Sequence, residues 1–297
     1  MMPSRYQIAV CGYSSNDYSM QTEKFEGFGH TTLIRKRLST SWPEVGGIAR
    51  FIPGLSAQNE VSVISWVGND LASDEWIQGA KNSGGRVEGI AKLNGAAPTS
   101  YLFHQSQGET LCFFHQGIRD PESQILDSQQ ISIIQDSSHV VLAISPERVT
   151  QSLLGILDST QTLMWVVKAD SLSQSIDLRS KLFERADIIV YSHQEEAFLR
   201  EIPFIGNKNP LDLTAQNKIL IMTSGKSQVQ WAEKGDRYTS DVIPIEDQVN
   251  STGAGDYFAG QFFGNYTQRT ATNICISEAI SKTHDFLRLR VHEREVN

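Results

Sequence analysis

Four consecutive residues near the C-terminal end, Gly253-Ala254-Gly255-Asp256, are of types and in an order that could do chemistry. The run 256–268 reads as a helix. Helices usually open on a Ser, Thr, Asp or Asn cap, whereas glycine in a first turn loses conformational entropy and supplies no capping side chain. Bare residues there gain access: several N–H groups converge at the positive end of the helix dipole, and no side chain bars a phosphate. A carboxylate beside a phosphate is repelled, so Asp256 needs a use. General base is one, taking the proton from a hydroxyl that attacks the terminal phosphoryl group of a nucleotide. An acid in a helix's first turn also gains about 0.3–1 kcal/mol from the dipole alone, and spacing by itself does not separate the two readings.

The elements that must position these residues follow from hydrophobic patterning. Short β-branched runs at 7–11, 61–66, 139–144, 163–167, 187–190 and 218–222 read as strands. Helical stretches at 74–82, 147–157, 175–184 and 195–200 fall between them. That alternation predicts an α/β fold with a mostly parallel central sheet and helices on both faces. Residues 99–103 and 110–115 break the alternation as a hairpin around the turn Gln107-Gly108-Glu109, and the irregular segment 18–42 offers partner strands. A small β lid beside the main sheet is expected, with lid segments around 13–45 and 93–117 of a single domain spanning 1–297.

The chain has 297 residues, 39% of them apolar, which suits a sizeable core. Its 26 Lys and Arg against 34 Asp and Glu give a formal charge of −8, which argues against general affinity for nucleic acid or an anionic membrane. Any bound anion needs a local device. Cys11, Cys112 and Cys275 lie far apart without a CxxC pair, so neither a disulfide framework nor a zinc site is expected. Apolar runs are strand-length and no signal-peptide stretch opens the chain, which makes the cytoplasm the expected location.

The segment from Asn250 to Asp256, followed by Phe258 and Gly260, resembles the C-terminal signature of the ribokinase-like (PfkB) family of sugar and nucleoside kinases. The resemblance implies an anion hole from Gly253, Ala254, Gly255 and the Asp256 N–H, with Asp256 as catalytic base and Thr252 beside the nucleotide. Other segments match the family in order. Asn16-Asp17 after the first strand resembles the substrate-binding aspartate region, Gly46-Gly47-Ile48-Ala49-Arg50 the paired-glycine motif under the substrate, and Val67-Gly68-Asn69-Asp70 the family's VGxD. The hairpin carrying Tyr101 and Phe103 resembles the lid that closes over a sugar, and Thr223-Ser224-Gly225 a loop lining the nucleotide site. ATP and Mg²⁺ are the cofactors this implies, with Glu195 linked to the metal and Ser192 to the nucleotide; similar proteins form homodimers through the lid, although nothing in this sequence demands one.

Several positions depart from the family pattern. Phe51 stands where an asparagine usually binds substrate, and its ring offers either a stacking face or a core aromatic. Ser192 replaces the Asn of NxxE while Glu195 is kept, and Gln228 replaces a loop glycine. Lys168-Ala169-Asp170 stands in place of Asp-x-Asn. Asn250 replaces the signature's leading aspartate and removes a charge from the region where some members hold a monovalent cation, which argues against potassium activation. Gly225-Lys226-Ser227 lacks the earlier glycine of a Walker A motif, and the seven histidines lack metal-binding spacing. The mixed charges of 288–295 suggest a solvated helix face.

The expected activity is therefore ATP-dependent phosphorylation of a hydroxyl on a small sugar. A nucleoside kinase of the same fold is the alternative if Phe51 stacks on a base, and a regulatory binding protein without turnover is the alternative from another class.

Overall fold

In the computed structural model, residues 7–38, 43–105, 110–118, 122–170, 174–214, 218–245 and 250–295 are described. The expected turn at Gln107-Gly108-Glu109 lies outside them. The strands are β1 (Gln7–Cys11), β2 (Ser14–Thr22), β3 (Ile34–Arg37), β4 (Glu44–Gly47), β5 (Glu60–Val67), β6 (Gly85–Arg86) and β7 (Ile90–Lys92). They continue with β8 (Thr99–Gln105), β9 (Thr110–His115), β10 (His139–Leu142), β11 (Thr162–Val166), β12 (Ile188–Ser192), β13 (Ile219–Thr223), β14 (Gln228–Glu233) and β15 (Asp236–Asp241). The helices are α1 (Ile52–Ser56), α2 (Leu71–Asn82), α3 (Ser128–Asp136), α4 (Glu147–Ile156), α5 (Ile176–Arg185), α6 (Glu196–Arg200), α7 (Ala254–Tyr266) and α8 (Thr272–Glu295).

The main sheet runs in the order β15-β14-β13-β12-β11-β10-β1-β5-β6, with β7 also pairing β5. From β6 to β13 all pairings are parallel, and the last two strands are added antiparallel. Strand residues alternate between two buried faces. Ile8 and Val10 enter one apolar cluster with Phe262, while Ala9 and Cys11 enter the other with Leu153 and Leu182. Burial on both faces is why these strands read as continuous apolar runs rather than alternating ones. The chain leaves β1 toward β5 on one side and later returns to β10 on the other. The carboxyl ends beside such a switch point form the crevice in which open α/β sheets bind ligands.

A second, five-stranded sheet of order β3-β2-β8-β9, with β4 on β2, forms the lid. The hairpin strands fall where patterning put them, and the irregular segment supplies β3 and the second half of β2. Helix α3 is absent from the sequence reading although it carries a capping box: Asp127 accepts from Gln130 N at 2.8 Å, and Asp127 N donates to Gln130 Oε1 at 3.1 Å. Strand β14 has no counterpart among the strands that patterning predicts. No helix among the described residues is long and apolar enough to cross a membrane.

Candidate functional site

Helix α7 is preceded by Gly253 at the N-cap, whose φ of 78° is the left-handed conformation glycine adopts without strain. A Cβ there would also lie 2.3 Å from Arg50 Cδ. Gly255 has a different reason to be bare: its Cβ position meets nothing within 4 Å, so the missing side chain leaves open space over the helix mouth. Among the described residues no group accepts the N–H of Gly253, Gly255 or Asp256. Ala254 departs from the expectation, because its N–H closes a turn onto Ser251 O at 3.0 Å. Three free donors, not four, remain at the positive end of the dipole.

Asp256 sits in the first turn of α7 and is mostly buried. Its Oδ1 is 3.0 Å from Lys168 Nζ, just beyond the carboxyl end of β11. The Asp256 carboxylate, and more weakly Glu195, hold the Lys168 ammonium above the ordinary lysine range against the opposing effect of burial. Patterning noted Lys168 only as a departure and did not place it in the site; its position after a strand was the available signal.

Asp17 on β2 is 6% exposed, with Oδ2 held by Arg50 Nη2 at 2.6 Å and Oδ1 accepting from Ser15 Oγ at 2.6 Å. Arg50 Nη2 also meets Glu44 Oε2 at 3.1 Å, and Nη1 donates to Thr252 O at 3.1 Å. Burial works against the Arg50 charge, but Asp17 and Glu44 outweigh it and raise the group further. The paired glycines serve this arrangement. A Cβ on Gly46 would lie 2.3 Å from Asp17 Oδ2, and Gly47, at φ 61°, approaches Tyr13 O too closely for any side chain.

Three expectations are corrected. Phe51 is 1% exposed and lies in the core with its carbonyl against Gly260, so it is a packing residue and not a stacking face. Tyr101 and Phe103 lie on the lid's outer face: β2 pairs β8 with Asp17 opposite Ser100 and Tyr18 opposite Tyr101, and strand alternation sends them to opposite sides. Tyr101 stacks on Tyr18, while Ser100 meets Ser15 beside Asp17. By the same alternation β8 turns Ser100, Leu102 and His104 to the Asp17 side. Finally, the end of α8 is not uniformly solvated, because Arg290 reaches Glu44 and the loop before α7.

A cavity of about 450 Å³ opens at the mouth of α7, lined by Thr223, Gly225, Asn250, Gly255, His284 on α8 and His104 on the lid. Thr223, Gly225 and Gly255 thus line one cavity. Gly225, like Gly255, has open space at its Cβ position, and bare backbone around a pocket of this size fits the phosphate end of a nucleotide. Ser192 and Thr223 are partners at adjacent strand ends. Ser192 and Glu195 satisfy each other in a capping box, the Ser192 N–H donating to Glu195 Oε2 at 2.7 Å. Among the described residues no three His, Cys, Asp or Glu side chains cluster as a metal cage. A larger cavity of about 860 Å³ lies at the opposite ends of the strands, by His139 and Thr162, away from the switch-point crevice.

Residues 44–277 match the description "pfkB family carbohydrate kinase". A search of curated sequences gives no match. Among solved structures, a Methanocaldococcus jannaschii nucleoside kinase of the ribokinase family superposes with TM-score 0.76 at 16% identity, covering 94% of this chain and 90% of that one. A Cryptococcus neoformans ribokinase in complex with ADP gives 0.76 at 15% identity, covering 93% and 92%. Arabidopsis thaliana ribokinase complexed with ribose and ATP gives 0.74 at 16%, covering 94% and 91%.

Proposed function

The chain belongs to the pfkB family of carbohydrate kinases, and on that premise we propose that it transfers the terminal phosphoryl group of ATP to a hydroxyl of a small sugar. One observation carries the reading: a carboxylate, Asp256, stands beside three backbone N–H groups that find no acceptor among the described residues, at the mouth of a ligand-sized cavity. The acceptor hydroxyl gives its proton to Asp256, its oxygen bonds to the terminal phosphorus, and the bond to the nucleoside diphosphate breaks. The N–H groups of Gly253, Gly255 and Asp256 take charge developing on the phosphoryl oxygens, as preorganised donors do in a partly buried site. Thr223 and Gly225 line the nucleotide side, with Ser192 and Thr252 adjoining. Mg²⁺, entering with the phosphates near Glu195, would supply charge neutralisation.

On the acceptor side, Asp17 and Gly46-Gly47 form a wall on which a polyol could exchange hydrogen bonds with the Ser15–Asp17–Arg50 chain. Burial of Phe51 removes the feature that favoured a base-bearing acceptor, which leaves the sugar reading ahead of the nucleoside one. The occupied carboxylate of Asp17 favours a second reading, a nucleotide-binding protein that no longer turns over. A cytoplasmic location, and a second copy over the lid's outer face, complete the proposal.

The test is an ADP-release screen of sugars and nucleosides, with calorimetric titration of a nonhydrolysable ATP analogue. Asp256→Asn is expected to keep nucleotide affinity and lose about 10²–10⁴-fold in turnover, the range for a lost general base. Full turnover in that variant would refute the mechanism, and nucleotide binding without transfer to any acceptor would establish the second reading.

A further inference from the structure

The loop leading into α7 is held by two guanidinium groups. Arg290 Nη1 donates to Asn250 O at 3.0 Å and to Thr252 O at 2.8 Å, and Arg50 Nη1 donates to Thr252 O at 3.1 Å. Both arginines share Glu44 Oε2, at 2.9 Å from Arg290 and 3.1 Å from Arg50. The Arg290 guanidinium lies 4.4 Å over the Phe286 ring one turn earlier, and Phe286 stacks on Tyr257 of α7 at 4.4 Å. Its side chain is 12% exposed, so it is fixed before any ligand arrives.

The consequence follows from peptide planarity. In a trans peptide the C=O and N–H point in opposite directions. A Thr252 carbonyl drawn toward the arginines therefore turns the Gly253 N–H the other way, and that N–H is one of the three free donors. Two backbone carbonyls converging on one positive centre are, chemically, the ligand set of a hard monovalent cation. Here the centre is a guanidinium carried on α8. Asn250 agrees with this: its Oδ1 accepts from Thr252 N at 3.1 Å, and its Nδ2 is a buried donor with no partner among the described residues. A neutral amide presenting a donor disfavours a second cation beside the first.

Resting on the kinase reading above, we propose that Arg290 is a covalently built-in cation for the phosphate-binding loop. It is a positioning residue that orients the Gly253 amide and makes nucleotide binding independent of monovalent metal ions. Removing it opens a cavity between the carbonyls of Asn250 and Thr252 that a free cation can enter.

The experiment titrates a nonhydrolysable ATP analogue into the full chain, in potassium chloride and in tetramethylammonium chloride at equal ionic strength. Wild-type affinity is expected to be the same in both. Arg290→Met is expected to bind about 10- to 100-fold more weakly in tetramethylammonium, the size of a lost charged hydrogen-bond pair. Potassium, or guanidinium well below denaturing concentration, is expected to restore most of it, which a merely structural role would not produce. Tighter wild-type binding in potassium overturns the inference, and that half of the test needs no variant to fold. Unchanged affinity in Arg290→Met, or a loss that neither cation restores, overturns it as well while leaving the kinase reading intact. Absence of nucleotide binding by the wild type in both salts overturns the kinase reading and this inference together.

Discussion

Lys168 changes what Asp256 is in the resting protein. The carboxylate was legible in the sequence because an acid after bare glycines is chemically odd, whereas its lysine partner comes from a different strand end and only the fold brings it within 3.0 Å. The arginine pair was hidden for the same reason: Glu44 and Arg290 are 246 residues apart, and no local spacing announces their contact. Since Asp256 raises the Lys168 ammonium, the sign of its pH effect is determined. The ion pair contributes fully below the ordinary lysine value of 10.5 and is lost as pH rises through the raised one. With the lysine side chain 40% exposed, screening holds the size to about 1 kcal/mol or less. Melting curves between neutral and strongly alkaline pH are expected to fall more steeply for wild type than for Lys168→Met, with Lys168→Arg behaving as wild type. Parallel curves for wild type and Lys168→Met would show that the pair contributes nothing.

Elements were the most legible scale where burial is uniform and the least where contact is backbone to backbone. Every expected main-sheet strand is present, because strands buried on both faces must be apolar throughout. The packing of α1 on α7 could not be seen, since it depends on what is missing from Gly54, Gly260 and Gly264. A Cβ on Gly260 would lie 2.4 Å from Phe51 O, and one on Gly264 2.4 Å from Gly54 O. Glycine normally weakens a helix by about 0.5–1 kcal/mol, so its presence in the middle of α7 marks a close approach. Gly260→Ala is expected to destabilise by about 1–3 kcal/mol through overpacking. It should also disturb the nucleotide site, because the same helix carries Asp256 at its mouth. Gly155 in α4 is the control: nothing lies within 4 Å of its Cβ position, so Gly155→Ala is expected to be neutral or stabilising by up to about 1 kcal/mol. Denaturant unfolding of the two variants measures both, and equal effects would refute the packing argument.

Across the whole molecule, the division into a main sheet and a lid was legible from the break in alternation, but the lid's orientation was not. Orientation depends on register: pairing Asp17 with Ser100 turns Tyr101 and Phe103 outward, and a shift of one residue would have turned them in. The outward face carries a consequence. Phe113 is 60% exposed and Tyr101 41%, paired across β8 and β9, and β9 is the last strand of its sheet, with no further partner among the described residues. An apolar edge strand left open invites pairing with other chains, and folded proteins cover or charge such edges. The sequence TLCFFH of β9 supplies no lysine, proline or acid for that purpose. A second copy of the chain is the occupant that costs least, because a symmetric contact covers both edges at once. Light scattering coupled to gel filtration is expected to give twice the 33.1 kDa chain mass at micromolar concentration. Phe113→Glu should reduce it to the single-chain value, while nucleotide binding at the far side of the lid persists. A wild-type protein that stays monomeric at those concentrations would refute the contact, since a lid edge covered in solution by nothing but water has no need of the aromatic pair it exposes.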